Sequence, residues 1–275
     1  MPASRHQYRA HAGGNGIAFL PCVVGCRASK GTLMNARNNS ASTRVDEVAE
    51  GVFRISTSVP ASVVPGGFTF NQYLIRDAEP LLFHTGPRLL FPAVGEAIDR
   101  VLPVTTLRYI SFSHVEADEC GSLNQLLAAA PLAVPLCGRI AAMVSIGDLA
   151  DRPPRVLADQ ERLVIGKHVV QWIDAPHLPH GWDCGFLAET TTSTLLCGDL
   201  FTQFGDVHPA MTEDDILEPS EVARTALDYY AHSPDTGPLL ERLAATAPTT
   251  LGCMHGPAWC GDGAKLLRSL AARLG

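Results

Sequence analysis

Ser113-His114-Val115-Glu116-Ala117-Asp118-Glu119-Cys120-Gly121 is the stretch whose reading decides the fold. Residues 107–112 before it read as a short buried strand, and residues 123–130 after it have the apolar spacing of a helix. His114, Glu116 and Asp118 alternate, so an extended loop turns all three to one side. Asp118 and Glu119 also stand at the front of a helix, where carboxylates are favoured by the positive end of the helix dipole. Capping explains an acid or two on a solvated loop. It does not explain an imidazole among three acids, which is a donor set for a hard or borderline metal ion.

Three further clusters follow, each just after a strand-like run. Asp174-Ala175-Pro176-His177-Leu178-Pro179-His180-Gly181-Trp182-Asp183 offers two histidines, Cys197-Gly198-Asp199 a carboxylate, and Cys253-Met254-His255-Gly256-Pro257 a histidine. Taken singly, each is more often a turn or surface feature than a site. Four clusters of ligand-type side chains, all at strand ends, can converge on one cleft.

Around them, residues 52–57, 69–76, 81–83, 132–136, 164–173, 185–189, 194–196 and 249–253 read as strands. Residues 91–102, 221–231, 238–245 and 264–274 read as helices. Strands come first, then strands and helices mixed. No GxGxxG or GxxxxGK[ST] phosphate-binding motif is present, and no helix follows each strand as a Rossmann pattern requires. The expected architecture is α/β: two mixed sheets packed face to face and flanked by helices, an αββα sandwich.

Composition sets the outer limits. The 275 residues are 46% apolar and 18% charged, enough for a sizeable core. Lys plus Arg number 21 and Asp plus Glu 28, a net charge of −7. That balance argues against nucleic acid or an anionic membrane as partner, since both reward clustered cations. No apolar run reaches the length of a membrane span. Cys22, Cys26, Cys120, Cys137, Cys184, Cys197, Cys253 and Cys260 are scattered through the chain, which implies reduced thiols and a cytoplasmic protein. Cys22 and Cys26 have no second pair at zinc-ribbon spacing. Buried small hydrophobes are the expectation for Cys197 and Cys253.

Residues 1–44 read as a disordered extension, and residues 45–275 as one domain. The extension carries Arg5, Arg9, Arg27, Lys30, Arg37 and Arg44 but no acid, as a transit peptide also would. An over-long start, with Met34 as the first residue, is the plainer explanation.

The four clusters together resemble the metallo-β-lactamase superfamily, and within it the His-x-Glu-x-Asp branch: the diiron core of flavodiiron proteins and the stand-alone oxygen-binding diiron proteins. His114-x-Glu116-x-Asp118 is the signature. Asp118, His180, Asp199 and His255 follow one another at intervals of 62, 19 and 56 residues, similar to the family's. The resemblance implies the metallo-β-lactamase-like fold over residues 45–275. It implies His114, Glu116 and His180 as ligands of one metal, Asp118 and His255 of a second, and Asp199 as the bridge. His177 competes with His180; spacing favours His180 and leaves His177 beside the metals.

The family usually has a histidine where this chain has Glu119, so Glu119 becomes a candidate ligand and, with Asp118, a candidate catalytic residue. His84 stands where the superfamily often has a structural Asp, and is expected behind the ligands. Trp182, Trp259, Phe201 and Phe204 are core or cleft-lining aromatics. Zinc hydrolases of the superfamily show His-x-His-x-Asp-His; the carboxylates Glu116 and Glu119 tilt the site towards two irons over zinc or manganese.

The expected function is a non-haem diiron protein that binds or reduces O2, or NO or peroxide. No flavodoxin-like domain and no paired CxxC motif is seen, so electrons are expected from a separate protein; a homodimer is compatible with this. The alternative is a dinuclear hydrolase of a small ester, thioester, lactone or phosphoester. A metal-binding scaffold without turnover is a third reading.

Overall fold

Side chains in the strands alternate between two apolar environments, and this alternation builds the molecule. In β3 (Phe68–Ile75), Tyr73 and Ile75 face one core and Leu74 the other; in β4 (Leu81–Phe83), Leu81 and Phe83 face one and Leu82 the other. A strand buried on both faces must lie in a sheet covered on both sides. The protein, a computed structural model that describes residues 42–275, meets this with two seven-stranded sheets.

The first sheet has the order β1-β2-β3-β4-β5-β6-β7, with β1 (Thr43–Ala49), β2 (Val52–Val59), β5 (Tyr109–Ser111), β6 (Val134–Gly138) and β7 (Arg155–Leu157). Pairs β1 to β4 are antiparallel and pairs β4 to β7 parallel. The second sheet has the order β12-β14-β13-β11-β10-β9-β8, with β8 (Arg162–Val164), β9 (Val169–Asp174), β10 (Gly185–Glu189), β11 (Thr194–Leu196), β12 (Met211–Thr212), β13 (Thr250–Gly252) and β14 (Ala258–Cys260). Each sheet is thus one continuous half of the described chain.

Between the sheets lies a core that includes Phe83, Leu136 and Leu157 from one side and Trp172, Leu187 and Leu196 from the other. The outer face of the first sheet packs on α1 (Phe91–Asp99), α2 (Ala117–Cys120) and α3 (Leu123–Ala129), and on the helical segment α4 (Arg139–Ala141), a π turn (Ala142–Ile146) and α5 (Gly147–Leu149). The outer face of the second packs on α6 (Leu217–Leu227), α7 (Thr236–Ala244) and α8 (Gly263–Leu274). This is the αββα sandwich the sequence led us to expect. The described residues form one compact unit, and its first strand starts at Thr43, two residues before the expected boundary. The expectations for residues 1–41, including Cys22, Cys26 and Met34, lie outside the described residues.

Three elements differ from the sequence reading. Residues 164–173 are not one strand but the turn and second arm of the β8–β9 hairpin. Gly166 makes the turn at φ 138°, and a Cβ there would lie 2.0 Å from Asp77 Oδ1. The Asp77 carboxylate closes the turn by accepting from the His168 N–H. The helix expected over 221–231 begins at Leu217, whose N–H donates to Asp215 Oδ1, and stops where Asp228 turns left-handed at φ 48°. The strand expected over 132–136 is β6, two residues later.

Candidate metal centre

Four of the chemistry-bearing loops leave the carboxyl ends of strands, the usual place for a site in an open α/β sheet. After β5 the chain runs through Ser113, His114 and Glu116 into α2, which carries Asp118 and Glu119. The loop after β9 carries His180, the turn after β11 Asp199, and the turn after β13 His255. Two hydrogen bonds tie the loop after β5 to the loop after β9: Gly185 N–H to Ser113 O and Val115 N–H to Asp183 Oδ2. At Gly198, φ is 48° and a Cβ would lie 3.1 Å from Ser113, so glycine lets the Asp199 turn press against the His114 loop.

All seven candidate ligands come together in two groups. His114, Glu116, His180 and Asp199 form one; Asp118, Glu119 and His255 form the other. Glu116 Oε2 lies 3.1 Å from His114 Nε2 and 3.0 Å from His180 Nε2. Asp199 reaches both groups with different oxygens. Its Oδ2 is 3.7 Å from His114 Nε2 and 3.5 Å from His180 Nε2, and its Oδ1 is 3.3 Å from His255 Nε2. Asp118 Oδ2 is also 3.3 Å from His255 Nε2.

The electrostatics of the protein alone call for a cation. Hydrogen bonds from His114 and His180 hold the Glu116 carboxyl down at about 2. Burial raises the Asp118 and Asp199 carboxyls, but the His255 imidazole outweighs it and keeps both below the ordinary range. Burial opposes charge on His255 too; Asp118 and Asp199 overcome that and lift its pKa to about 10. Glu119 has no such partner. It is 0% exposed, neither of its oxygens has a hydrogen-bond partner, and burial together with the charges of Asp199 and Asp118 pushes its pKa well up. Asp199 Oδ1 is likewise buried without a hydrogen bond. Buried carboxylate oxygens without donors are costly, and a divalent ion is what such a donor set accommodates.

His177 is exposed, its backbone N–H donates to Gly181 O, and it belongs to neither ligand group, whereas His180 belongs to the first. His84 is buried behind the ligands, with Nε2 3.0 Å from Ser113 Oγ. Cys197 and Cys253 are buried in apolar surroundings with their sulfurs 3.7 Å apart. Of the aromatics singled out, Phe201 and Trp259 belong to the core and Trp182 is exposed.

The rings that do touch ligands went unnoticed in the sequence. Phe68 stacks on His255 at 4.2 Å between centroids, and Tyr229 meets His180 edge-on at 5.9 Å and donates to Asp199 O. Phe68 and Phe70 alternate on β3, which was the available signal. Tyr229 follows the end of α6, and no local pattern marks it. A cleft of about 670 Å³ opens beside Glu116, lined by Val115, Ala117, Cys120, Leu123, Ile146 and Arg88 among others.

Fold and ligand geometry together define a metallo-β-lactamase-type sandwich with a dinuclear metal-ligand set. The family model for "ODP family beta lactamase" matches residues 68–226, and the chain belongs to that family. Among curated relatives, the putative diflavin flavoprotein A 2 of Nostoc sp. PCC 7120 is 30% identical over 137 residues, 49% of this chain and 24% of that one. The rubredoxin-oxygen oxidoreductase of Megalodesulfovibrio gigas is 26% identical over 203 residues, 70% of this chain and 49% of that one. The metal-soaked Flv1 flavodiiron core from Synechocystis sp. PCC 6803 superimposes with a TM-score of 0.74 at 20% identity, over 85% of this chain and 60% of that one. The chain therefore spans about a quarter to a half of the length of these curated relatives. Among the described residues, no helix is long and apolar enough to cross a membrane.

Proposed function

We propose that the protein is a diiron oxidoreductase core that binds and reduces O2, or a related small oxidant such as NO, with electrons from a separate redox protein. His114, Glu116 and His180 would hold one iron, Asp118, Glu119 and His255 the other, and Asp199 would be shared by both groups. The observation that carries this reading is the placement of the two Asp199 oxygens, one towards each histidine group. The preponderance of carboxylates over nitrogens in the second group favours iron over zinc. Likeness to the rubredoxin-oxygen oxidoreductase supports both the oxidant and a small electron-transfer partner of the rubredoxin or flavin kind.

Bound there, iron would supply the electron-transfer chemistry for reduction of a small oxidant. The chain's own residues set the stage for this. Phe68 stacks on the buried His255, and Tyr229 packs edge-on against the half-buried His180. Glu119, buried beside Asp118 and His255, would stand as a carboxylate donor where the family usually has a histidine.

The test is the metal content of protein purified anaerobically without added metal, followed by its absorption as air is admitted. About two irons per chain, with a new near-ultraviolet or visible band on oxygenation, is the expected result. Zinc alone with no response to air, together with turnover of an ester or lactone, would replace this reading with the hydrolytic one.

A further inference from the structure

Cys197 and Cys253 stand at matching places on two neighbouring parallel strands. In the β11–β13 ladder Leu196 faces Gly252, and the next residue on each strand is a cysteine. Backbone hydrogen bonds carry the pairing past the strand ends, from Cys197 N–H to Gly252 O and from Met254 N–H to Gly198 O. Neighbouring strands lie about 4.8 Å apart, within the Cα separation of about 4.4–6.8 Å that a disulfide spans. The two side chains turn to the same side, into the core under α6, α7 and α8, and their sulfurs lie 3.7 Å apart.

Packing at this point calls for two small apolar side chains, and does not call for sulfur twice. Position adds a second observation. Cys197 comes two residues before Asp199 and Cys253 two residues before His255. A bond between the sulfurs would tie the turn that carries Asp199 to the turn that carries His255. Burial slows oxidation of any single thiol. Here contact compensates: a second thiol touching the first captures its initial oxidation product before anything else reaches it.

We propose that Cys197 and Cys253 are a modification site, a dithiol that a small hydroperoxide converts to an internal disulfide. The inference goes beyond the proposed function and requires no metal. In the first step one sulfur attacks the O–O bond of hydrogen peroxide. An S–O bond forms, the S–H and O–O bonds break, and water leaves behind a sulfenic acid. In the second step the other sulfur attacks the sulfenic sulfur. An S–S bond forms, the S–O and second S–H bonds break, and a second water leaves. The two thiols lose two electrons and two protons, and peroxide takes up both to become two waters. Both cysteines are 0% exposed, so the oxidant must be small and uncharged, and a bulky disulfide such as oxidised glutathione is shut out.

The experiment uses the full chain, metal-free and folded. It is treated with hydrogen peroxide, quenched with catalase, unfolded in iodoacetamide, digested without reductant and mapped by mass spectrometry. The dose is set by the part-exposed Cys260, which must be fully oxidised. The expected result is a peptide pair linked through Cys197 and Cys253, absent before peroxide and lost on adding dithiothreitol to the unfolded chain. The alkylated yields of the two cysteines should fall in parallel, and oxidised glutathione should not produce the link. Recovery of both as alkylated thiols at that dose would overturn the proposal. So would oxidation of each to a separate sulfinic acid, or links to Cys137 or Cys184 as frequent as the link between the pair. The metal reading stands or falls independently, since no ion enters the test.

Discussion

Glu119 and His255 lie in the same group of candidate ligands. In the metal-free protein Asp118 and Asp199 lift the His255 pKa to about 10, so its imidazole is protonated at neutral pH. Metal binding must displace that proton. Titrating metal into weakly buffered apo-protein should release the His255 proton, read by a pH indicator. His255→Gln should lower the count, and an unchanged count would show that His255 does not bind metal. His255 also sets a pH dependence. Its folded pKa of about 10 exceeds the ordinary 6.5, so the folded state binds more protons between those values. The stability it contributes is complete below pH 6.5 and is lost as pH rises towards 10. Thermal melts of apo-protein across that window should show a falling midpoint, and zinc or iron should flatten the trend by removing the proton. His114, Glu116, Asp118, His180, Asp199 and His255 were legible in the sequence because each stands at a strand end with a fixed interval to the next. Thr69 and Tyr229 were not, because what gives them a part is a contact with a ligand residue distant in sequence, Thr69 with His255 and Tyr229 with Asp199.

At the level of elements, β3 holds the His255 turn. The Asn71 side-chain amide donates to Cys253 O and Gly256 O, at 2.9 and 2.8 Å, and the Tyr73 hydroxyl donates to Cys253 O. Asn71 N–H donates to Met254 O, and Gly256 N–H to Thr69 Oγ1. A strand of the first sheet thus sets the position of a ligand on the second. Asn71→Ala removes two buried hydrogen bonds, while Tyr73 still donates to Cys253 O and Arg54 to Gly256 O, and should cost about 1–3 kcal/mol in denaturant unfolding. It should also weaken the second metal while leaving the first in place, seen as a drop towards one ion per chain. Periodicity exposed most elements, since alternation is written locally. It missed β1, and also β7, β12 and β14, whose two or three residues complete a sheet only through partners far along the chain. The break inside residues 164–173 was equally hidden, because Gly166 signals a turn only beside Asp77.

For the whole molecule, both metal positions straddle the two sheets. His114, Glu116, Asp118 and Glu119 follow a strand of the first, and His180, Asp199 and His255 follow strands of the second. A bound ion is therefore a clip between layers. Metal at about 100 times its dissociation constant adds about 2.7 kcal/mol per independent site. For a domain of this size that is roughly 5–10 °C in melting temperature. Chelation should lower the midpoint by at least that much, and a melt indifferent to chelator would show that the ions do not join the sheets. The division of the chain into one sheet per half has a further consequence during synthesis. The first sheet is complete at Leu157, but the strands that cover its inner face end only at Cys260. At ribosomal speeds of about 5–20 residues per second, Tyr73, Ile75, Leu81 and Phe83 stay uncovered for roughly 5–20 s on the nascent chain. That interval is long enough for a chaperone to find them, and the same apolar face is where two unfinished chains would adhere.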